Sequence, residues 1–225
     1  MINATLKRRL ALHVKVDFVL LVERFIQLTG VLLTIPFSIL IIYGKEFYSL
    51  WVPSQDASVL QILSILTCGG LIFTSGIQCL FNVFTVVNKL KLNSILVLLS
   101  GAVSTLIVFI LMKTTNLGVF AIAGVSSVVN LVRNMVYTVP FAAKYLGLKW
   151  NTFFPEVFSS AISVIVLTVI GFTIKKFIIA NSWFMLIIAV GITSLLGLAI
   201  NMFIVLNKVE RNQLIGIFKK KLKLA

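Results

Sequence analysis

The sequence contains few of the side chains that enzyme active sites and metal centres use. Its 225 residues include six acids, one histidine (His13) and two cysteines (Cys68 and Cys79). The acids all fall in predicted loops, termini or the edges of apolar segments, so no pair is placed for acid–base catalysis. A histidine-containing triad and a metal site with several His or carboxylate ligands are excluded on the same ground. We therefore predict no enzyme activity, no cofactor and no metal.

Charged residues of both signs are scarce. They make up 12% of the chain, against about 25% in a typical soluble domain, whereas hydrophobic residues make up 60%. This composition excludes a disordered chain and a soluble single domain, because so few polar groups cannot cover so much apolar surface. The net charge of +14 comes mainly from missing acids. We therefore expect membrane lipid, and not nucleic acid, as the partner.

Long apolar segments predict an all-α, polytopic membrane protein. A helix crosses the hydrocarbon core with about 20 mostly apolar residues, and six segments meet this requirement. They are residues 25–43, 57–81, 94–112, 117–142, 156–174 and 182–206. The predicted domain organisation is a basic, amphipathic cytoplasmic segment (1–24), a six-helix transmembrane domain similar to half a transporter (25–206), and a basic cytoplasmic tail (207–225).

The distribution of basic residues predicts the orientation. Fifteen lysines and arginines lie in the termini and in the second–third and fourth–fifth connections, whereas four lie in the other connections. Because basic residues accumulate on the cytoplasmic side, we expect both termini in the cytoplasm. Trypsin treatment of sealed, right-side-out vesicles should leave the cluster Lys219–Lys223 uncut unless the membrane is permeabilised.

Arg133 is the one charged residue well inside a predicted span, and Asn130 and Asn134 lie beside it. A cation at this depth in the membrane costs free energy, so we expect it to have a structural or functional role. It can face a water-filled cavity and bind an anionic group such as a phosphate. Alternatively, it is a buried structural arginine whose donors are satisfied by nearby carbonyls and amides.

Polar residues of the second span fall on one helical face about 140° wide at 100° per residue. They are Gln61, Ser64, Thr67, Thr74, Ser75, Gln78, Asn82 and Thr85. The opposite face, with Leu66, Ile77 and Phe84, is apolar. Because a polar face in lipid must contact other helices or water, it serves either interhelical hydrogen bonding or the lining of a cavity. Gln78 and Asn82 are the candidates for cavity lining on this span.

Four motifs occur in an order that is typical of one transporter family. They are Ile35-Pro36-Phe37 within a span, Gly44–Pro53 with the pattern Gly-x-x-Phe-x-x-x-Trp, the short loop Asn88–Asn93, and Thr115–Gly124, in which Ala121 stands where a second glycine is usual. From about residue 10 onward, the chain resembles the C-terminal part of a polysaccharide flippase of the multidrug/oligosaccharidyl-lipid/polysaccharide exporter superfamily.

The resemblance implies a role in surface polysaccharide synthesis. The family has two helical lobes, with roughly twelve to fourteen helices and alternating access between them. The complete protein is expected to move undecaprenyl-pyrophosphate-linked oligosaccharide across the bacterial cytoplasmic membrane, with the polysaccharide polymerase and ligase machinery as further partners. With six spans, this chain is expected to be a fragment or a truncated gene product.

Other functions stay open at this point. A drug or cation exporter of the same superfamily is disfavoured because cation coupling usually requires an acid within the membrane. A stand-alone or homo-oligomeric transporter or channel for small solutes is one alternative. A non-catalytic subunit of a polysaccharide assembly complex is another.

Overall fold

The computed structural model describes residues 4–178, 180–204 and 211. Within these ranges it describes the side chains from Phe18 onward, except that of Ser75. All regular secondary structure in this part of the chain is helical. The elements are α1 (Ala4–Trp51), α2 (Ala57–Val86), α3 (Leu90–Thr114), α4 (Val119–Arg133), a π-helical turn (Asn134–Thr138), α5 (Val139–Tyr145), α6 (Phe154–Lys175) and α7 (Trp183–Ile204). The all-α prediction is confirmed.

Six helical segments are long and apolar enough to cross a membrane. They are Phe18–Trp51, Ala57–Thr74, Leu90–Thr114, Val119–Tyr145, Phe154–Lys175 and Trp183–Ile204. The number of predicted spans is therefore confirmed, and the chain is a multi-pass membrane protein. Its orientation stays a prediction. The predicted tail, 207–225, lies outside the described residues except for Arg211.

The first span ends later than the sequence indicates. The sequence predicts its end at residue 43, but α1 continues through Gly44 to Trp51. The glycine serves a close contact instead, because a Cβ there would lie 2.9 Å from Cγ of Gln61. The chain turns after Trp51, and Asp56 caps α2 by accepting hydrogen bonds from the amides of Ser58 and Val59 at 2.8 and 3.3 Å.

Burial in α3 and α7 is opposite to that of a soluble protein. The buried residues of α3 are the polar Asn93 and Ser104, while side chains such as Leu98 are exposed. The buried residues of α7 are Leu186, Ala189, Thr193, Gly197 and Asn201, so four small or polar residues recur every fourth position. Small and polar residues at helix contacts, with large apolar ones facing outward, are characteristic of helices in lipid.

The described residues divide into two compact units. The first combines α1 before Val31 with residues 66–158, and the second combines residues 31–65 with the chain after Phe158. In the first unit the core includes Ile77 and Phe84 of α2, and the Phe84 ring stacks on Tyr137 with 5.6 Å between centroids. In the second unit, Ile42 and Tyr43 belong to a core cluster with residues of α7.

The two halves of α2 use its polar residues differently. Near its start, the Gln61 amide donates hydrogen bonds to the carbonyls of Leu40 and Ile41. The hydroxyls of Ser64 and Tyr48 form a hydrogen bond with each other at 2.5 Å. These contacts agree with interhelical hydrogen bonding. Toward its end, Ile77 and Phe84 are buried, while the polar Gln78, Asn82 and Thr85 are exposed. Gln78, Asn82 and Thr85 therefore lie away from the core of their unit, whereas Thr74, earlier on the same helix, is buried.

Candidate functional site

Arg133 lies where the fourth span changes its hydrogen-bonding pattern. It is the last residue of α4, and the π-helical turn Asn134–Thr138 follows directly. In this turn the amide of Val139 bonds to the carbonyl of Asn134, five residues earlier. Pro140 comes next and has no N–H to donate, so regular α-helical bonding is interrupted here. Such π-turns are frequent at functional sites in helices. This turn was not predicted from the sequence.

The Arg133 guanidinium is held by neutral groups from three helical segments of the first unit. Its Nη1 donates to the Ser100 hydroxyl of α3 at 3.1 Å, and its Nη2 donates to Oδ1 of Asn134 at 3.2 Å. Its Cζ lies 5.9 Å from the ring centroid of Phe81 on α2, a cation–π distance. The Ser100 hydroxyl in turn donates to the Val97 carbonyl at 2.7 Å. These contacts fix the position of the side chain without neutralising its charge.

The cation of Arg133 is uncompensated in the described part of the chain. Its two hydrogen bonds use two of the five N–H donors that a guanidinium carries. The Nε–H is buried and has no hydrogen-bond acceptor, and no described carboxylate pairs with the group. A half-buried cation with unused donors is suited to bind an anion, above all a phosphate that can accept two parallel hydrogen bonds.

Asn134 supports this arrangement from a fully enclosed position. It is 1% exposed, and its Oδ1 accepts hydrogen bonds from both Arg133 and the Thr138 hydroxyl, the latter at 2.9 Å. Because Asn134 and Thr138 are the two ends of the π-helical turn, the side-chain bond spans the same turn. Of the predicted site residues, Asn134 is thus the one that the structure joins directly to Arg133.

The Arg133 cluster consists of Arg133, Ser100, Phe81, Asn134 and Thr138, and it does not include Gln78, Asn82 or Asn130. Gln78 and Asn82 are one turn apart on α2 and are close in the chain to Phe81, the residue whose ring faces Arg133. Both are exposed, as is Asn130 one turn before Arg133. None of the three has a side-chain hydrogen bond to another described residue. Their amides remain available to water or a ligand.

A second polar cluster, which was not predicted from the sequence, lies in the second unit. Asn201 of α7 donates from Nδ2 to the Thr34 hydroxyl at 2.9 Å, and its Oδ1 accepts a hydrogen bond from the Ser163 hydroxyl. All three side chains are 0% exposed. This Asn201 cluster joins α1, α6 and α7 and is closed to solvent. The four-residue spacing of Thr193, Gly197 and Asn201 is a sequence signal for a packed face of α7, but it does not identify the partners of Asn201.

One ion pair also lies within the second unit. The Lys175 ammonium is 2.7 Å from the Glu46 carboxylate and donates to the Ile42 carbonyl at 2.5 Å. Glu46 was expected in a connection beyond the first span, but it lies within α1 because that helix continues to Trp51. Lys175 therefore links the end of α6 to α1.

The described residues offer no group of three or more His, Cys, Asp or Glu side chains that could hold a metal ion. Cys68 and Cys79 are free thiols. The prediction that the chain is not an enzyme stays a prediction. No family model, curated protein or solved structure matches the chain.

Proposed function

We propose that the chain is part of a flippase that moves an undecaprenyl-pyrophosphate-linked oligosaccharide across a bacterial cytoplasmic membrane for surface polysaccharide synthesis. The observation that carries the proposal is Arg133. It is a cation within a membrane span, held by neutral groups, with donors left unused. An isolated charge in a span marks a pathway or a binding site in many membrane proteins.

The chemistry of the proposed substrate fits the groups around Arg133. A pyrophosphate offers oxygen atoms that can accept parallel hydrogen bonds from a guanidinium, and this pairing is stronger than a neutral hydrogen bond. Sugars offer hydroxyl groups, which exposed amides such as those of Gln78, Asn82 and Asn130 can bind by donating and accepting. Six apolar helices place the chain in the membrane, where the lipid portion of the substrate also lies.

The family resemblance supports the same substrate. It is carried by the ordered motifs within residues 35–124, and a complete flippase of that kind has two lobes and a cavity between them. Under this proposal, the chain supplies the last six helices, which form most of the second lobe. The polysaccharide polymerase and ligase are then the expected functional partners, and both termini face the cytoplasm.

Binding of an isoprenyl pyrophosphate to the purified chain in detergent tests the proposal. We expect Arg133→Gln to weaken binding by at least about tenfold, because a hydrogen bond to a charged group contributes about 1.5–3 kcal/mol. Lys113→Gln is the matched control, since it removes one positive charge from an exposed residue at the end of α3. The corresponding isoprenyl alcohol, which lacks the phosphates, should bind the wild type and Arg133→Gln equally.

Two results would overturn the proposal. One is equal affinity of the wild type and Arg133→Gln for the pyrophosphate. The other is an equal loss in the Lys113→Gln control, which would indicate a general charge effect.

A transporter for small polar solutes, formed by one or more copies of the chain, is the second candidate. The exposed amides on the second half of α2 favour it, because polar side chains that face away from the core of their unit can line a water-filled path. Uptake of a small solute by liposomes that contain only this chain, together with a stable dimer in detergent, would favour this function over the flippase.

A further inference from the structure

A depression beside the connection between α2 and α3 combines positive charge with an apolar wall. It has a volume of about 410 Å³. Its lining residues are Asn88, Lys89, Lys91, Leu92, Ile95 and Tyr145. It belongs to the first unit, and none of these residues takes part in the Arg133 cluster.

The connection that forms the rim has a defined backbone conformation. Asn88 has a φ of 52°, in the left-handed region that Asn tolerates better than most residues. The amide of Asn88 bonds to the carbonyl of Thr85 at 3.1 Å, and that of Lys89 bonds to the carbonyl of Phe84 at 2.8 Å. This is the Schellman pattern of helix termination. It ends α2 abruptly, so that Lys89 and Lys91 lie at the start of α3, beside the depression.

The opposite wall is also fixed by packing. The ring of Tyr145 makes edge-on contacts with Phe84 and Phe141, with centroid distances of 5.8 and 6.3 Å. After Tyr145, the chain ends α5 with a second Schellman pattern around Gly147, whose φ is 66°. The depression is therefore bounded by two ordered helix ends.

The two kinds of lining residue are arranged for an amphipathic ligand. Lys89 and Lys91 are exposed and lack a carboxylate partner among the described residues, and no acid lines the depression. Leu92 and Ile95 continue along α3 into the membrane span and are also exposed. A ligand that fits has an anionic group at the level of the lysines and hydrocarbon along α3.

We propose that this depression binds the headgroup of an anionic phospholipid. The lysines attract its phosphate, and an acyl chain lies along Leu92 and Ile95. The Tyr145 hydroxyl and the Asn88 amide, which also line the depression, can form hydrogen bonds with the polar groups of the lipid. Basic pockets next to membrane spans bind such headgroups because each lysine near the surface adds electrostatic attraction for the anionic lipid. The site does not depend on the flippase proposal.

Native mass spectrometry of the full chain in detergent tests the proposal. The measurement is the affinity of the first bound phosphatidylglycerol and, separately, of phosphatidylcholine with the same acyl chains. We expect the wild type to bind phosphatidylglycerol about tenfold more tightly than phosphatidylcholine. K89Q/K91Q should lose this preference, because both attractive charges are removed. Both residues are exposed, so the double variant should fold.

The matched control is K113Q/K176Q, which lowers the net charge by the same amount at two exposed lysines outside the depression. It should keep the lipid preference of the wild type. An equal loss in both double variants would overturn the proposal, since it would indicate general charge attraction. Displacement of the lipid by inorganic phosphate would also overturn it, in favour of a site for small anions. Equal binding of phosphatidylglycerol and phosphatidylcholine by the wild type would overturn the proposal as well.

Discussion

The Arg133 cluster and the Asn201 cluster place polar side chains inside membrane spans in two different ways. In the Asn201 cluster, both ends of the amide are hydrogen-bonded, and Thr34, Ser163 and Asn201 are completely buried. In the Arg133 cluster, a half-buried cation has neutral neighbours and unused donors. The hydrogen bonds of the Asn201 amide are therefore complete within the chain, whereas the Arg133 cluster can bind a further hydrogen-bond acceptor.

The difference separates a structural role from a binding role. Membrane helices associate through small residues and interhelical hydrogen bonds, and the Asn201 cluster supplies both, with Gly197 one turn away. Removing its groups should affect folding. The Arg133 charge costs free energy in the span and gains little within the chain. Removing it should affect ligand binding and leave folding nearly unchanged.

The largest expected effect is on the packing of α7. A Cβ at Gly197 would lie 3.3 Å from Cγ1 of Ile35 and 3.5 Å from Leu167. We expect Gly197→Val to lower the free energy of unfolding by about 2–3 kcal/mol through overpacking, measured by SDS-induced unfolding. Gly191→Val on the same helix is the control, because a Cβ at Gly191 meets nothing within 4 Å. Equal destabilisation by both would refute this packing.

The next largest effect is on the Asn201 cluster itself. Asn201→Ala removes two hydrogen bonds, each contributing about 0.6 kcal/mol on average in membranes, and leaves a cavity. We expect a loss of about 1–2 kcal/mol in the same unfolding measurement. Asn130→Ala, at an exposed amide with no side-chain partner among the described residues, should leave stability unchanged. If Asn201→Ala is as stable as the wild type, the cluster has no structural role.

A smaller effect is expected for the ion pair. The side chains of Lys175 and Glu46 are 28% and 25% exposed, so solvent weakens their attraction. A double-mutant cycle with Lys175→Met and Glu46→Gln should give a coupling energy of about 0.5–1 kcal/mol, and it should decrease at high salt. A coupling energy near zero would show that the pair does not stabilise the second unit.

The smallest effect on stability is expected at Arg133. Arg133→Gln loses hydrogen bonds to Ser100 and Asn134 but also removes a poorly solvated charge. These changes oppose each other, so we expect the free energy of unfolding to stay within about 0.5 kcal/mol. A loss as large as that of Asn201→Ala would mean that Arg133 is a structural residue.

The sequence predicted those features that depend on composition and on local cost. Six apolar segments identify the spans, and Arg133 is conspicuous because a charge within a span is expensive. Asn201 was missed because its partners, Thr34 and Ser163, are distant in the chain, and a single Asn in an apolar span does not indicate them. The end of the first span was predicted too early, at residue 43, because a glycine such as Gly44 that permits close packing looks in sequence like one that ends a helix.

The polar periodicity of α2 shows another feature that the sequence alone does not predict. Its polar face is visible in the sequence, but periodicity does not say which face packs inward. In the structure, the face of Ile77 and Phe84 is buried along the second half, and the Gln78 and Asn82 amides are exposed. The π-helical turn after Arg133 depends on hydrogen-bond register, which one proline at position 140 only partly indicates.

Accessibility of the two clusters to water in the membrane tests the central claim most directly. Single cysteines replace Arg133, Asn130 or Asn201 in a background in which Cys68 and Cys79 are alanine, and each is treated with a charged, water-soluble thiol reagent in open membrane fragments. We expect rapid modification at position 133 and at the neighbouring exposed position 130, and protection at position 201. Protection at 133 equal to that at 201 would contradict it, because the Arg133 cluster would then be closed as well.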